Sequence, residues 1–76
     1  MKAYVLINIR PGAIKEVVKN LHRLDNVVEA HMTFGPYDAV VTIEADSLAE
    51  IGSIIHADVQ PIPGILDTLT CLAVDI

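Results

Sequence analysis

A chain of 76 residues with one cysteine, Cys71, no tryptophan and a single phenylalanine has few of the usual devices for stabilising a small domain. A lone thiol cannot close an internal disulfide, and no Cys/His spacing resembles a zinc site. No apolar run approaches the ~20 residues that a transmembrane helix needs. The N-terminus has one early lysine and a short apolar run broken by Asn8 and Arg10, with no small-residue cleavage site, so no targeting segment is expected. One cysteine without a leader fits a reducing cytoplasm. Basic residues are also scarce: five Lys plus Arg stand against ten Asp plus Glu, a net charge of −5. Proteins that hold a phosphate backbone by charge need a basic stripe, so this balance argues against direct DNA binding. Gly-x-Ser-x-Gly, His-Glu-x-x-His, a phosphate-binding glycine loop and a dinucleotide fingerprint are all missing. No catalytic residue, metal or cofactor is therefore implied.

Apolar side chains, by contrast, are abundant. They make up 53% of the sequence, and the mean hydropathy is +0.51. That is too apolar for a disordered chain. A domain this short buries only about 60% of the surface its unfolded chain exposes. A single core of that size rarely supplies more than ~3–5 kcal/mol. With disulfides and metals excluded, oligomerisation accounts best for the excess.

The apolar residues follow two periods. Lys2 to Arg10 is rich in β-branched residues and stops at Pro11-Gly12, which predicts a strand and a turn. Ile14, Val17, Val18 and Leu21 then fall on one stripe of an amphipathic helix that ends near Leu24-Asp25-Asn26. Val27 to Phe34 predicts a second strand, Gly35-Pro36-Tyr37-Asp38 a tight connection, and Ala39 to Ala45 a third strand paired with the second as a hairpin. Ser47-Leu48-Ala49-Glu50 fits a capping box and opens a second helix with Leu48, Ile51 and Ile55 on its apolar stripe. That helix fails before Pro61, and Ile65 to Ile76 predicts a fourth strand.

The order β-α-β-β-α-β places the chain in the α+β class. It predicts a ferredoxin-like sandwich, an antiparallel four-stranded sheet with two helices on one face, of the dimeric α+β barrel type. Residues 1–76 are read as one domain. The face under the helices is expected to carry Val5, Ile7, Ile9, Val28, Ala30, Met32, Val41, Ile43, Leu69 and Cys71. The opposite face is expected to carry Tyr4, Leu6, Asn8, Glu29, His31, Thr33, Val40, Thr42, Thr68, Thr70, Leu72 and Val74. Half of that second face is apolar and uncovered in a monomer, and a second copy of the same sheet is its simplest partner.

Few polar groups carry chemistry. Glu29 and His31, two apart on one strand, suit either an acid–base pair or an interfacial hydrogen bond. Cys71, facing the helices, would act as a small hydrophobe. The Gly35-Pro36-Tyr37-Asp38 turn is the most informative element. Glycine lets backbone N–H groups approach a ligand, and Asp38 can accept from an ammonium, although a plain turn closed by Asp38 explains the same residues. Thr68 and Thr70 either offer hydroxyls to a ligand or form a cross-strand ladder with Thr33 and Thr42. An anionic group, free amides and hydroxyls together suit a small zwitterion such as an amino acid.

The segment Val27-Val28-Glu29-Ala30-His31-Met32-Thr33-Phe34-Gly35-Pro36-Tyr37-Asp38, the strand Ala39-Val40-Val41-Thr42-Ile43 and the late Pro63-Gly64-Ile65…Thr68…Thr70 resemble the effector-binding (RAM) domain of the Lrp/AsnC transcription regulators. The resemblance spans essentially the whole chain. It implies sheets of two chains paired back to back, dimers assembled into a ring such as an octamer, and an amino-acid effector held between dimers. By position it makes Gly35, Tyr37, Asp38, Thr68 and Thr70 the candidate ligand-binding residues. Family regulators begin with a helix-turn-helix domain, whereas this sequence begins at the first RAM strand. It thus looks like a stand-alone RAM protein that does not bind DNA directly, has no membrane association and could partner a full-length regulator. Two other functions share the topology. A small dimeric α+β barrel monooxygenase or isomerase would need polar groups between helices and sheet, where this chain is aliphatic. An ACT-type allosteric domain would bind beside a glycine after the first strand, such as Gly12.

Overall fold

The structure, a computed structural model, describes residues 1–76. Strand β1 (Lys2–Ile9), helix α1 (Ile14–His22), strands β2 (Val27–Met32) and β3 (Ala39–Glu44), helix α2 (Leu48–Ile54) and strand β4 (Ile65–Leu72) follow in the expected order. The strands form one sheet ordered β2-β3-β1-β4, with every neighbouring pair antiparallel. The expected ferredoxin-like sandwich is the architecture found.

The core lies between sheet and helices. Ala3, Val5, Ile7 and Ile9 alternate along β1 and are all buried, as a strand with one covered face requires. Val17 and Leu21 of α1 and Ile51 and Ile54 of α2 meet them from above. Ser47 Oγ accepts from the Glu50 N–H at 3.1 Å, so half of the predicted capping box forms. α2 then widens into a π-helical turn, Ile55–Val59, where the Gln60 N–H donates to the Ile55 carbonyl at 2.8 Å. Ile55 and Val59 of this turn close the core above the sheet.

Two edge-strand bulges correct the expected faces. In β2 the register slips between Val27 and Glu29, so Val27 packs on the core while Val28 is exposed. In β4 it slips beside Asn8/Ile9, so Ile65 pairs with Ile9 and Asp67 with Asn8, with Leu66 extra. An extra residue reverses every side chain beyond it. Thr68 therefore pairs with Ile7 and Thr70 with Val5, on the helical side, whereas Leu69 and Cys71 join Leu6 and Tyr4 on the open side. Leu72, paired with Ala3, is likewise on the helical side. The alternative threonine ladder is excluded, because Thr42 pairs with Tyr4 on the opposite face from Thr68 and Thr70.

The open face gains apolar character from this correction. Val40, Leu6 and Leu69 form one cross-strand row, and Thr42, Tyr4 and Cys71 the next. Glu29 and His31 extend these rows onto β2, where His31 Nε2 lies 3.2 Å from Glu29 Oε2, both exposed. No helix is long and apolar enough to cross a membrane.

Candidate functional site

Residues 33–38 are held as a compact loop. The Thr33 N–H donates to the Asp38 carbonyl at 3.0 Å, and Thr33 Oγ1 donates to the Tyr37 carbonyl at 2.7 Å. These bonds explain why β2 stops at Met32 rather than at Phe34. Gly35 has φ of +151°, a conformation that side-chain-bearing residues rarely adopt. Phe34 stands fully in solvent at 108% relative exposure. Asp38 is locked to β1: its N–H donates to the Ile7 carbonyl at 2.9 Å, and its Oδ2 accepts from the Ile9 N–H at 2.7 Å. One carboxylate oxygen thus closes the strand junction. Oδ1 has no partner within the chain and remains available as an acceptor.

This loop borders a cleft of about 360 Å³ lined by Ile14, Met32, Thr33, Phe34, Gly35 and Asp38. Met32 pairs with the buried Ala39, and Ile14 opens α1, so the cleft lies on the helical side of the sheet. Tyr37 is half-buried and borders instead a shallower depression with Leu6, Phe34 and Val40 on the open side.

The predicted threonines lie across β1, under the far end of the helical layer. Thr68 Oγ1 accepts from Gln60 Nε2 at 3.3 Å. Thr70 lines a groove of about 430 Å³ with His56, Gln60, Leu48 and Leu72, while Thr68 lines a neighbouring cleft of about 380 Å³ with Gln60, Ile65, Leu66 and Asp67. Gln60 joins the two. Nothing in the sequence singled out Gln60, because its position over β4 follows from the π-turn. The lining role of Ile14 and Met32 was equally hidden, since both read as ordinary core.

Four of the five candidate residues therefore form two half-sites in one chain, Gly35 with Asp38 and Thr68 with Thr70, whereas Tyr37 lies on the open side of the sheet and joins neither. Asp38 and Thr68 flank the same stretch of β1 from opposite sides. Two strand spacings, roughly 10 Å, separate their backbones, and the clefts lined by Asp38 and by Thr68 are different ones. Both half-sites open on the helical side and leave the sheet face free. The only buried polar side chain is Thr42, so no acid or base is sequestered beneath the helices. No group of three or more His, Cys, Asp or Glu converges as a metal site would require.

Comparison with known proteins gives a consistent result. The family profile described as the Lrp/AsnC ligand binding domain matches residues 2–76. The HTH-type transcriptional regulator FL11 of Pyrococcus abyssi is 33% identical over 72 residues, covering 95% of this chain and 47% of FL11. The chain thus spans about half the length of the curated relatives it matches. The crystal structure of FFRP-DM1 superposes with a TM-score of 0.92 at 30% identity, over 96% of this chain and 97% of that one. A transcriptional regulator from Neisseria meningitidis, solved as an L-Met complex, shares the fold at 12% identity with a TM-score of 0.88, over 97% of this chain and 49% of that one.

Proposed function

The chain belongs to the Lrp/AsnC family through its ligand-binding domain, and from that membership we propose that it binds an amino-acid effector between copies of itself and modulates transcription regulators without catalysing a reaction. The relatives it matches are transcriptional regulators, and the Neisseria protein of the same fold is described with L-Met bound. The observation that carries the reading is the separation of the two half-sites on the helical side. Strand β1, with Ile7 and Ile9 buried beneath the helices, runs between Asp38 and Thr68, and the two residues line different clefts, so one ligand does not take both from a single chain. It takes the Gly35–Asp38 loop from one copy and the Thr68/Thr70 groove from another.

In this arrangement Asp38 Oδ1 accepts from the ligand ammonium, while Oδ2 keeps its bond to Ile9. Backbone amides near Gly35 and a threonine hydroxyl hold the carboxylate. The sheet face, meanwhile, forms a two-fold dimer through the rows centred on Leu6 and Tyr4. Such dimers join into a larger ring, which mixes with a full-length regulator to exert control. The aliphatic lining beneath the helices supports a non-catalytic role.

Asp38→Asn tests the site cleanly. The amide oxygen can still accept from the Ile9 N–H, but the charge is gone. Losing a charge-assisted bond at a desolvated site costs ~1.5–3 kcal/mol, roughly tenfold to a hundredfold in affinity. A thermal-shift screen of the amino acids identifies the ligand, since one present at 100 times its Kd adds about 2.7 kcal/mol to stability. Calorimetry on the variant then measures the loss. Unchanged affinity removes Asp38 from the site, and failure of every amino acid to bind the wild type removes the site.

A further inference from the structure

Glu29 and His31 take no part in the effector site, yet they form the sole ion contact within the chain, with His31 Nε2 3.2 Å from Glu29 Oε2. Both side chains are 63% exposed, so the contact adds little to the fold of one chain. Their place follows from register. His31 pairs with Val40 and ends the Val40–Leu6–Leu69 row, while Glu29 pairs with Thr42 and ends the Thr42–Tyr4–Cys71 row. The pair therefore stands at the margin of the apolar face on which the sheet-to-sheet dimer is centred. The same register places the other ionisable groups of that face. β3 contributes Glu44, β1 contributes Lys2 and Tyr4, and β4 contributes Asp67 and Cys71. Tyr37 borders the face from the loop after β2, and the Met1 ammonium is held by the Ala45 carbonyl at the end of β1. α1 packs on the opposite side of β2, so the sheet separates Lys15, Glu16, Lys19, His22 and Arg23 from His31.

With His31 neutral, the strands present one cation on this face, Lys2, against three carboxylates, Glu29, Glu44 and Asp67, a balance of −2. A two-fold contact sets this balance against a copy of itself, and like charges brought together in a water-poor interface repel. Protonating His31 reduces the balance to −1 and neutralises Glu29 where it lies. Histidine is the side chain whose ordinary range puts such a change between pH 5 and 8. We propose that His31 is a proton switch on the sheet-to-sheet contact, tightening the dimer as the pH falls and loosening it as the pH rises. The switch rests on the sheet-paired dimer proposed above. Its sign follows from linkage. The dimer holds the His31 protons more tightly than the monomers do, so the added stability is fully present below the ordinary histidine range and is lost as the pH rises through that range.

The test is the dimer Kd of the full chain, measured by sedimentation at about pH 5.5 and about pH 7.5 at one ionic strength, a range below that in which thiols and phenols ionise. Half a pH unit of added proton affinity on each of two copies makes the dimer roughly fivefold to tenfold tighter at the lower pH. His31→Gln keeps a donor for Glu29 but cannot be charged, and should hold the wild-type value of the higher pH at both. His31→Lys is charged throughout, and should hold the wild-type value of the lower pH at both. His22→Gln and His56→Gln should respond as the wild type does. If the dimer does not dissociate on dilution, the urea midpoint at two protein concentrations replaces Kd, with the same order of variants expected. Circular dichroism checks folding. A wild-type dimer of equal strength at both pH values, a His31→Gln dimer that still responds, or a response lost in His22→Gln or His56→Gln overturns the switch and leaves the dimer standing. A wild type that is monomeric at both pH values, or a Leu6→Asp variant that dimerises as the wild type does, refutes the sheet pairing itself and the switch with it.

Discussion

Gly64 and Gly35 both take positive φ, +103° and +151°, yet their surroundings differ. A Cβ on Gly64 would sit 2.8 Å from Ala13 Cβ and 3.1 Å from Val17 Cγ2, whereas one on Gly35 meets nothing within 4 Å. Gly64 is also where the Arg10 N–H is received, at 2.7 Å, so it seats the start of β4 against the β1–α1 junction. Gly64→Ala should therefore combine backbone strain with a clash and cost about 2–4 kcal/mol, against about 1 kcal/mol for Gly35→Ala. Urea denaturation of both variants measures the difference, and equal costs would show that α1 yields freely. Asp38 has a comparable double aspect. Its place in the loop was legible in the sequence, but its bond to Ile9 was not, since those residues are 29 apart in the chain. Asp38→Ala should leave the Ile9 N–H unpaired in a nearly buried position and lose ~1–3 kcal/mol of stability, a loss that Asp38→Asn avoids. Melting curves of the pair separate the structural role of the carboxylate from any binding role.

The two helices were legible because their starts carry periodic apolar residues and, for α2, a capping signature. Ser47→Ala should remove the one side-chain bond at the α2 N-terminus and lower stability by about 1 kcal/mol. A change under a few tenths in denaturation would mean that water caps the helix equally well. The strands were legible as elements but not in all their faces. β4 offers apolar residues at 65, 66, 69, 71 and 72, which no single alternation satisfies. The ambiguity comes from Leu66, the extra residue at the bulge, and its effect depends on pairing with β1 rather than on local pattern. Val28 in β2 misled in the same way. The π-turn after α2 is invisible for a related reason: its hydrogen bonds depend on how Gln60 and the loop Pro61–Gly64 must descend to β4.

Only 16 of 76 residues are buried within the chain, too few for a sequence with this much apolar content to be at ease alone. The half-buried Leu6, centred between Val40 and Leu69, is the test position for the sheet-paired dimer. Leu6→Asp should place an unpaired charge in that interface, cost roughly 3–5 kcal/mol of association and produce monomer at micromolar concentration in sedimentation equilibrium. A stable dimer of the variant would place the contact elsewhere, and a folded wild-type monomer would refute the sheet-paired dimer altogether. The slip at Leu66 has a consequence for genetics. Beyond it, β4 turns alternate residues to different neighbours, so a substitution scan through residues 68–71 should yield two interleaved phenotypes. Changes at 69 and 71 should alter how many subunits associate and spare ligand response, changes at 68 and 70 should do the reverse, and adjacent codons would behave as though they belonged to different proteins.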